Sequence, residues 1–496
     1  MTDGVMPRPS RSALFLGATL SILIAIVSAC GGGGSGEVAP PGPATVSTLA
    51  YVVNTCSGDA KGFTIRQSLQ IRRGDEAPIT VVEHSALLSF DGVGTCVGLG
   101  DTRYGPAFGE LGVFRRLGVS PDGSQVVFEV TDEVTAFVNY PLAFPANALP
   151  AEENGIFVVG ADGTGLRRLG PASREVSYHK SLFVFSPNGR TIAYTDRGPS
   201  AENEDAAQIV TLDLVSGEHQ VTQVTHLPPP TDPTWPETYD PFFNDDETIT
   251  FSTHANADGN HPDGENIVVT VKTDGTGLTV AQPAHALPGS ELLTSFRITG
   301  SELDAAVLTR TGMAENWMDG YRPYSIREVF DIDRDNILQL TNFHRTDTYY
   351  ATVTADGQRV LFTASANPPE LGTNPDEVCQ LFSIDRSGDD LRQLTTFHDA
   401  PEGQHERGCN FWKRPLGCWV GQANRDIRTD AVLFYSSCDP LGTNPYGSQV
   451  FAMHADGTGL RQLTNTAPFG VDASGAFTVE LPFPFAWPGR EERAAP

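Results

Sequence analysis

Three histidines come shortly after the fourth strand of a repeat. His226 follows Val224-Thr225, His344 follows Thr341-Asn342-Phe343, and His398 follows Thr395-Thr396-Phe397. Imidazoles converging from separate elements would suit a transition metal, with His254 or His405 as a fourth ligand. No fixed local spacing ties them together, so they read equally as turn caps or solvated side chains. A second recurrent group is Gly259-Asn260-His261-Pro262, Gly372-Thr373-Asn374-Pro375 and Gly442-Thr443-Asn444-Pro445. Asn bonds its own backbone and Pro fixes φ, so these are first of all loop formers. As ligand-face features, Asn260, Asn374 and Asn444 would offer a ring of amides and carbonyls to a ligand or cation. The run Asp331-Ile332-Asp333-Arg334-Asp335 starts like a calcium loop. It has Asn336 where the loop requires Gly and Asn342 in place of the bidentate Glu, so it reads as a hairpin turn.

Of the covalent-catalysis motifs there is no Gly-x-Ser-x-Gly and no His-Glu-x-x-His, and His405-Glu406 lacks the second His. A net charge of −28 leaves no basic stripe to neutralise phosphates, which excludes nucleic acid as a partner. Lysine is confined to Lys61, Lys180, Lys272 and Lys413, so an electrostatic grip on anionic lipid is excluded too. No cofactor is implied beyond the transition metal or calcium that the groups above could hold.

The elements that must position these residues repeat. An apolar strand leads into Ser120-Pro121-Asp122-Gly123, Ser186-Pro187-Asn188-Gly189 or Ala355-Asp356-Gly357. Second strands follow as Gln125–Phe128, Thr191–Tyr194, Thr248–Phe251 and Arg359–Phe362. After a long loop and a third strand, tight turns appear at Asp162-Gly163, Ser216-Gly217, Asp274-Gly275, Ser387-Gly388 and Asp456-Gly457. Gly there supplies the positive φ of a tight hairpin. Closing strands read Leu166–Leu169, Leu391–Thr395 and Leu460–Thr464; a degenerate unit at Ile326–Phe330 and Ile337–Thr341 fills the doubled gap between Gly275 and Gly388.

Four antiparallel strands repeated in this way predict an all-β propeller. Six units lie between residues 112 and 465. Strand-like runs at Leu49–Asn54, Ser68–Ile71, Ile79–Val82 and Ala476–Leu481 predict a seventh blade, closed by pairing of the N- and C-terminal strands; six or eight blades are the alternatives. The turns fall on one face. The longer loops, including those carrying the histidines, fall on the other, where function on a rigid scaffold usually sits.

From about Phe114 to Thr464 these repeats resemble the PD40 (WD40-like) repeats of the TolB family. The resemblance implies a propeller and says little of function. The sequence departs from TolB in leaving no room before the first unit for a separate α/β domain. It departs from prolyl-oligopeptidase-type enzymes in having too little chain after Thr464 for a hydrolase domain.

At the N-terminus, Arg8 and Arg11 precede an apolar run, Ala13–Val27, shorter than the roughly 18–20 residues that span a bilayer. With Val27-Ser28-Ala29-Cys30 it resembles a bacterial lipoprotein signal in which Cys30 is lipidated. The expected organisation is a signal peptide over 1–29, a lipidated Gly/Pro-rich tether over 30–47, the propeller over 48–485 and a disordered tail over 486–496. Gly31 after the lipidated cysteine points to the outer membrane or cell surface of a bacterium, reached through the lipid anchor alone. The other six cysteines of this exported chain suggest disulfides Cys56–Cys96, Cys379–Cys438 and Cys409–Cys418, one of the 15 connectivities available. The expected function is an envelope-anchored binding or scaffold module for a protein or glycan partner. The alternative is a metal-dependent carbohydrate-active enzyme similar to oligogalacturonate lyases, with the histidine site in the propeller channel.

Overall fold

The computed structural model describes residues 42–59, 62–88, 114–131, 152–173, 183–197, 206–215, 220–229, 238–260, 267–281, 295–299, 302–310, 326–333, 336–343, 348–354, 356–397, 420, 424–429, 431–436, 438, 441–442, 449–467 and 470–489. Among them the regular elements are antiparallel strands, and no helix is long and apolar enough to cross a membrane.

The repeat unit is visible in the first sheet, where Phe114–Val119, Gln125–Val130, Gly155–Gly160 and Arg167–Gly170 pair in sequence order. Five further four-stranded sheets with neighbour-to-neighbour order follow it, ending with Asn424–Arg425 to Arg461–Gln462. We number these sheets 1 to 6 in chain order. A five-stranded terminal sheet is built from both ends of the chain. It contains Thr48–Asp59, Gly62–Arg73 and Ile79–Leu88, with Phe477–Ala486 paired to the first of these and Gly470–Val471 on its far side. These strands are longer than the sequence runs suggested, and the C-terminal segment contributes two strands rather than one.

The second strands explain why the sheets stack face to face. In Gln125–Val130, Val126, Phe128 and Val130 point into a cluster shared with the terminal sheet, while Val127 points into one shared with sheet 2. Successive side chains of a strand point to opposite faces, so an uninterrupted apolar run requires a partner sheet on each side. Sheet 2 repeats the pattern, with Ile192 and Tyr194 facing sheet 1 and Ala193 facing sheet 3. Further cores join sheets 4 and 5, sheets 5 and 6, and sheet 6 and the terminal sheet. Sheets stacked in this order are the blades of a β-propeller.

Two domain boundaries shift. Ala44 and Val46 are buried core residues, so the body starts at 42 rather than 48. Trp487 is also buried and donates its indole N–H to the Arg425 carbonyl (3.3 Å), so the body runs past 485. Both segments pack against sheet 6, an association that no local sequence pattern encodes.

Candidate functional site

Strand direction divides the surface into two faces. Tight turns such as 120–124 and 161–166 join strands one to two and three to four on the turn face. The connections 131–154, 254–266 and 365–379, and the sheet-to-sheet links such as 224–237 and 394–423, leave from the opposite face.

The turn residues are held by their own side chains. Asp162, Asp274, Asp456 and Asp472 each accept from the backbone N–H and the hydroxyl of the residue two places on, at 2.6–3.0 Å. In Asp162 the Thr164 backbone bond, and in the other three the hydroxyl bond, leads in holding the carboxyl below its usual range. Each folded value therefore lies below the unfolded value of about 3.9. The stabilisation is complete above that value and is lost as pH falls through the folded values. The melting temperature is expected to drop below about pH 4, and Asp456→Asn should start slightly lower at neutral pH and shallow the drop, as thermal melts across that range will show. Asn188 demonstrates the geometry: its side-chain oxygen accepts from Ser186 Oγ and Arg190 N at 2.9 Å each.

The residues before the histidines are consumed by a buried clasp. In sheet 5, Thr395 Oγ1 donates to Gln380 Oε1 (2.8 Å) and accepts from Leu381 N (2.9 Å). Gln380 Oε1 also accepts from Phe397 N (2.9 Å), and its Nε2 donates to the Phe397 carbonyl (2.7 Å). The same bonds link Gln208, Thr225 and Leu227, and again Gln449, Thr464 and Thr466. In sheet 4 Glu328 takes the glutamine's place, accepting from Thr341 Oγ1 (2.5 Å) and Phe343 N (2.8 Å). In sheets 2, 4, 5 and 6 the threonine that ends the repeat is thus a lock between third and fourth strands. Thr395→Val preserves shape but strands Leu381 N and leaves Gln380 Oε1 with Phe397 N alone; a buried unmet group costs about 1–3 kcal/mol, so chemical denaturation should show a loss of that size.

Of the three histidines, His226 lies among the described residues. It is exposed, and its Nδ1 sits 3.2 Å from Gln223 Nε2. His344, His398 and His405 lie outside them, and His254 is buried beside the second strand of sheet 3. Among the described residues no three His, Cys, Asp or Glu side chains group as metal ligands. Asp331 bonds Arg386 of sheet 5 (2.7 Å), an inter-sheet ion pair on a strand.

Asn374 is a loop pin. It is buried, and its Nδ2 donates to the carbonyls of Ala366 and Val378, both at 2.8 Å. Asn260, one place earlier in its motif, is exposed in a turn closed by Asp258, so the two asparagines do not present one common ligand-binding group. Asn444 lies outside the described residues, as do Cys30, Cys96, Cys409 and Cys418; Cys56 is placed only by its backbone, opposite Ile65 and Val479. Cys379 and Cys438 are fully buried in the same core, between sheets 5 and 6.

One polar centre escaped the sequence reading. Arg116 Nε faces Glu129 Oε2 at 3.8 Å, and Glu129 Oε1 accepts from Ser173 N (2.5 Å). Arg116 Nη1 donates to Ser173 Oγ (2.9 Å), and its guanidinium lies over the rings of Phe183 and Tyr194 at 6.0 and 5.6 Å. Burial pushes the Tyr194 hydroxyl upward, and the charges of Asp196 and Glu129 add to it. The centre lies at the long-connection end of sheets 1 and 2. Its sequence signal is Glu129 itself, since the matching residues of the other second strands are Thr195, Ser252, Val307, Thr363 and Tyr435.

No family model matches the chain, and no curated protein matches it. Solved structures resemble it in fold. A prolyl endopeptidase is 12% identical with a TM-score of 0.42, over 86% of this chain and 53% of that one. The β-propeller domain of the Trilobed protease from Pyrococcus furiosus is 13% identical with a TM-score of 0.39, over 77% of this chain and 95% of that one. An oligogalacturonate lyase in complex with manganese is 10% identical with a TM-score of 0.40, over 83% and 98%. The chain spans about half the length of the prolyl endopeptidase. What these likenesses share with this chain is the β-propeller.

Proposed function

We propose that the chain is an exported lipoprotein, anchored through Cys30 at the outer membrane or cell surface, whose propeller binds a protein or glycan partner on the long-connection face. The propeller is a TolB-like repeat array in which the terminal sheet serves as the seventh blade, and Cys379 is bonded to Cys438. The observation that carries the binding role is how the repeated residues are used: the Gln–Thr clasps, the aspartate turns and Asn374 are all committed to holding the scaffold. What varies from blade to blade is the length and sequence of the connections on one face, the arrangement by which a rigid scaffold carries a binding surface.

A photo-crosslinking residue at Asn260, on the long-connection face, should yield a discrete adduct in cells, and one at Ser387, exposed in the turn between strands three and four of sheet 5, should not. Adducts from Ser387 alone, or from neither position, would overturn the assignment of the face. The metal-dependent alternative demands a stoichiometric transition metal that His226→Ala releases. Elemental analysis of the purified protein before and after chelation decides that point.

A further inference from the structure

The path of the chain just after the tether fixes which face the anchor pulls on. Gly42 places its carbonyl 3.1 Å from His454 Nε2, and Ala44 N donates to the Gly459 carbonyl at 3.0 Å. Residues 454–459 form the turn between strands three and four of sheet 6. Ser47 bonds Asp426 through both its N–H (2.7 Å) and its hydroxyl (2.8 Å), in the turn after the first strand of that sheet. Thr48 Oγ1 then donates to the Gly123 carbonyl (2.8 Å), in the corresponding turn of sheet 1. All of these partners stand on the turn face. At Gly459 a Cβ would fall 2.8 Å from the Gly42 carbonyl oxygen, so the chain passes against this turn as closely as glycine allows.

We propose that the turn face is the membrane-proximal surface of the protein, docked by its own anchor against the lipid bilayer, so that the long-connection face points away. The proposal rests on the lipidation of Cys30 proposed above. The 11 residues 31–41 can reach at most about 40 Å even when fully extended. Turning the propeller over would require the tether to run the depth of a blade, about 20 Å of strand plus its loops, before it met lipid. Among the exposed large side chains of the described residues, Ile79, Leu166, Val215 and Ile427 lie at turn-face turns, Leu338 on the fourth strand of sheet 4, and Leu441 in a long connection. The turn aspartates make that face a poor match for anionic headgroups. The contact is therefore governed by tether and apolar side chains.

The test uses the full chain extracted from membranes and reconstituted into phosphatidylcholine vesicles with acceptor-labelled headgroups. A donor dye is placed through Val215→Cys (wild-type exposure 59%) or through Leu441→Cys (43%). Strands of about 20 Å separate the faces, so the donor at 215 should transfer energy about twofold more efficiently than the donor at 441. Equal transfer, or stronger transfer from 441, on protein that floats with the vesicles overturns the orientation alone. Protein that does not float overturns the anchor and the orientation together.

Discussion

Glu129→Ala is expected to cost about 3–5 kcal/mol of unfolding free energy, the range for removing one partner of a buried ion pair. Glu129 is fully buried and Arg116 is 5% exposed, so the orphaned guanidinium would keep its charge away from water. The loss would also free Ser173 N, which the carboxylate binds now. The reciprocal Arg116→Ala leaves a buried carboxylate and should cost a similar amount. The informative variant is the pair Arg116→Met with Glu129→Gln. It removes both charges, keeps an acceptor for Ser173 N, and lays a thioether against Phe183 and Tyr194. Neutral replacements of buried pairs are often tolerated, so most of the stability should return. Denaturant titrations of the four proteins give the coupling directly. A double variant as weak as either single one would mean that packing, and not charge, holds sheets 1 and 2 together here.

That centre also marks the limit of what the sequence could reveal. Turn residues announce themselves, because Pro, Asp and Gly at fixed offsets have a local physical cause, and the strands between them alternate in a way that predicts stacked sheets. Closure of the N-terminal strands by Phe477–Ala486 was legible too, since a propeller ring must be closed and the two chain ends each offered strand-like runs to do it. Arg116, by contrast, lies where the register between Phe114 and Leu117 slips, an irregularity repeated at Tyr239/Phe242 and Tyr349/Thr352. A bulge re-aims a side chain, and no alternation rule predicts where. The clasp glutamines were missed for a related reason. Gln380 and Thr395 lie 15 positions apart, and only the pairing of third and fourth strands brings them within 2.8 Å. The Asn-Pro loops were visible, yet spacing could not show that Asn374 turns inward while Asn260 faces solvent.

The second large effect is expected from the disulfide. With Cys379 bonded to Cys438, replacing both with alanine should lower stability by about 4 kcal/mol, the chain-entropy value for a closed loop of some 60 residues. The sign follows from the unfolded state, which the bond confines and which the variant releases. Two features argue that the native state will tolerate the change. Both residues sit among Leu361, Val378, Leu381, Phe434 and Phe451 in a core that already joins sheets 5 and 6, and alanine leaves that core apolar. Because both residues are 0% exposed, thiolate attack also requires an opening of this core. Reduction of the native protein should therefore proceed at a rate that rises with denaturant, while the same reagent acts at once on the unfolded chain. A variant of unchanged stability, together with fast reduction in native buffer, would show the bond to be peripheral to the fold. Slow reduction with the expected loss would make it the covalent tie between two blades whose own sheets are only four short strands wide.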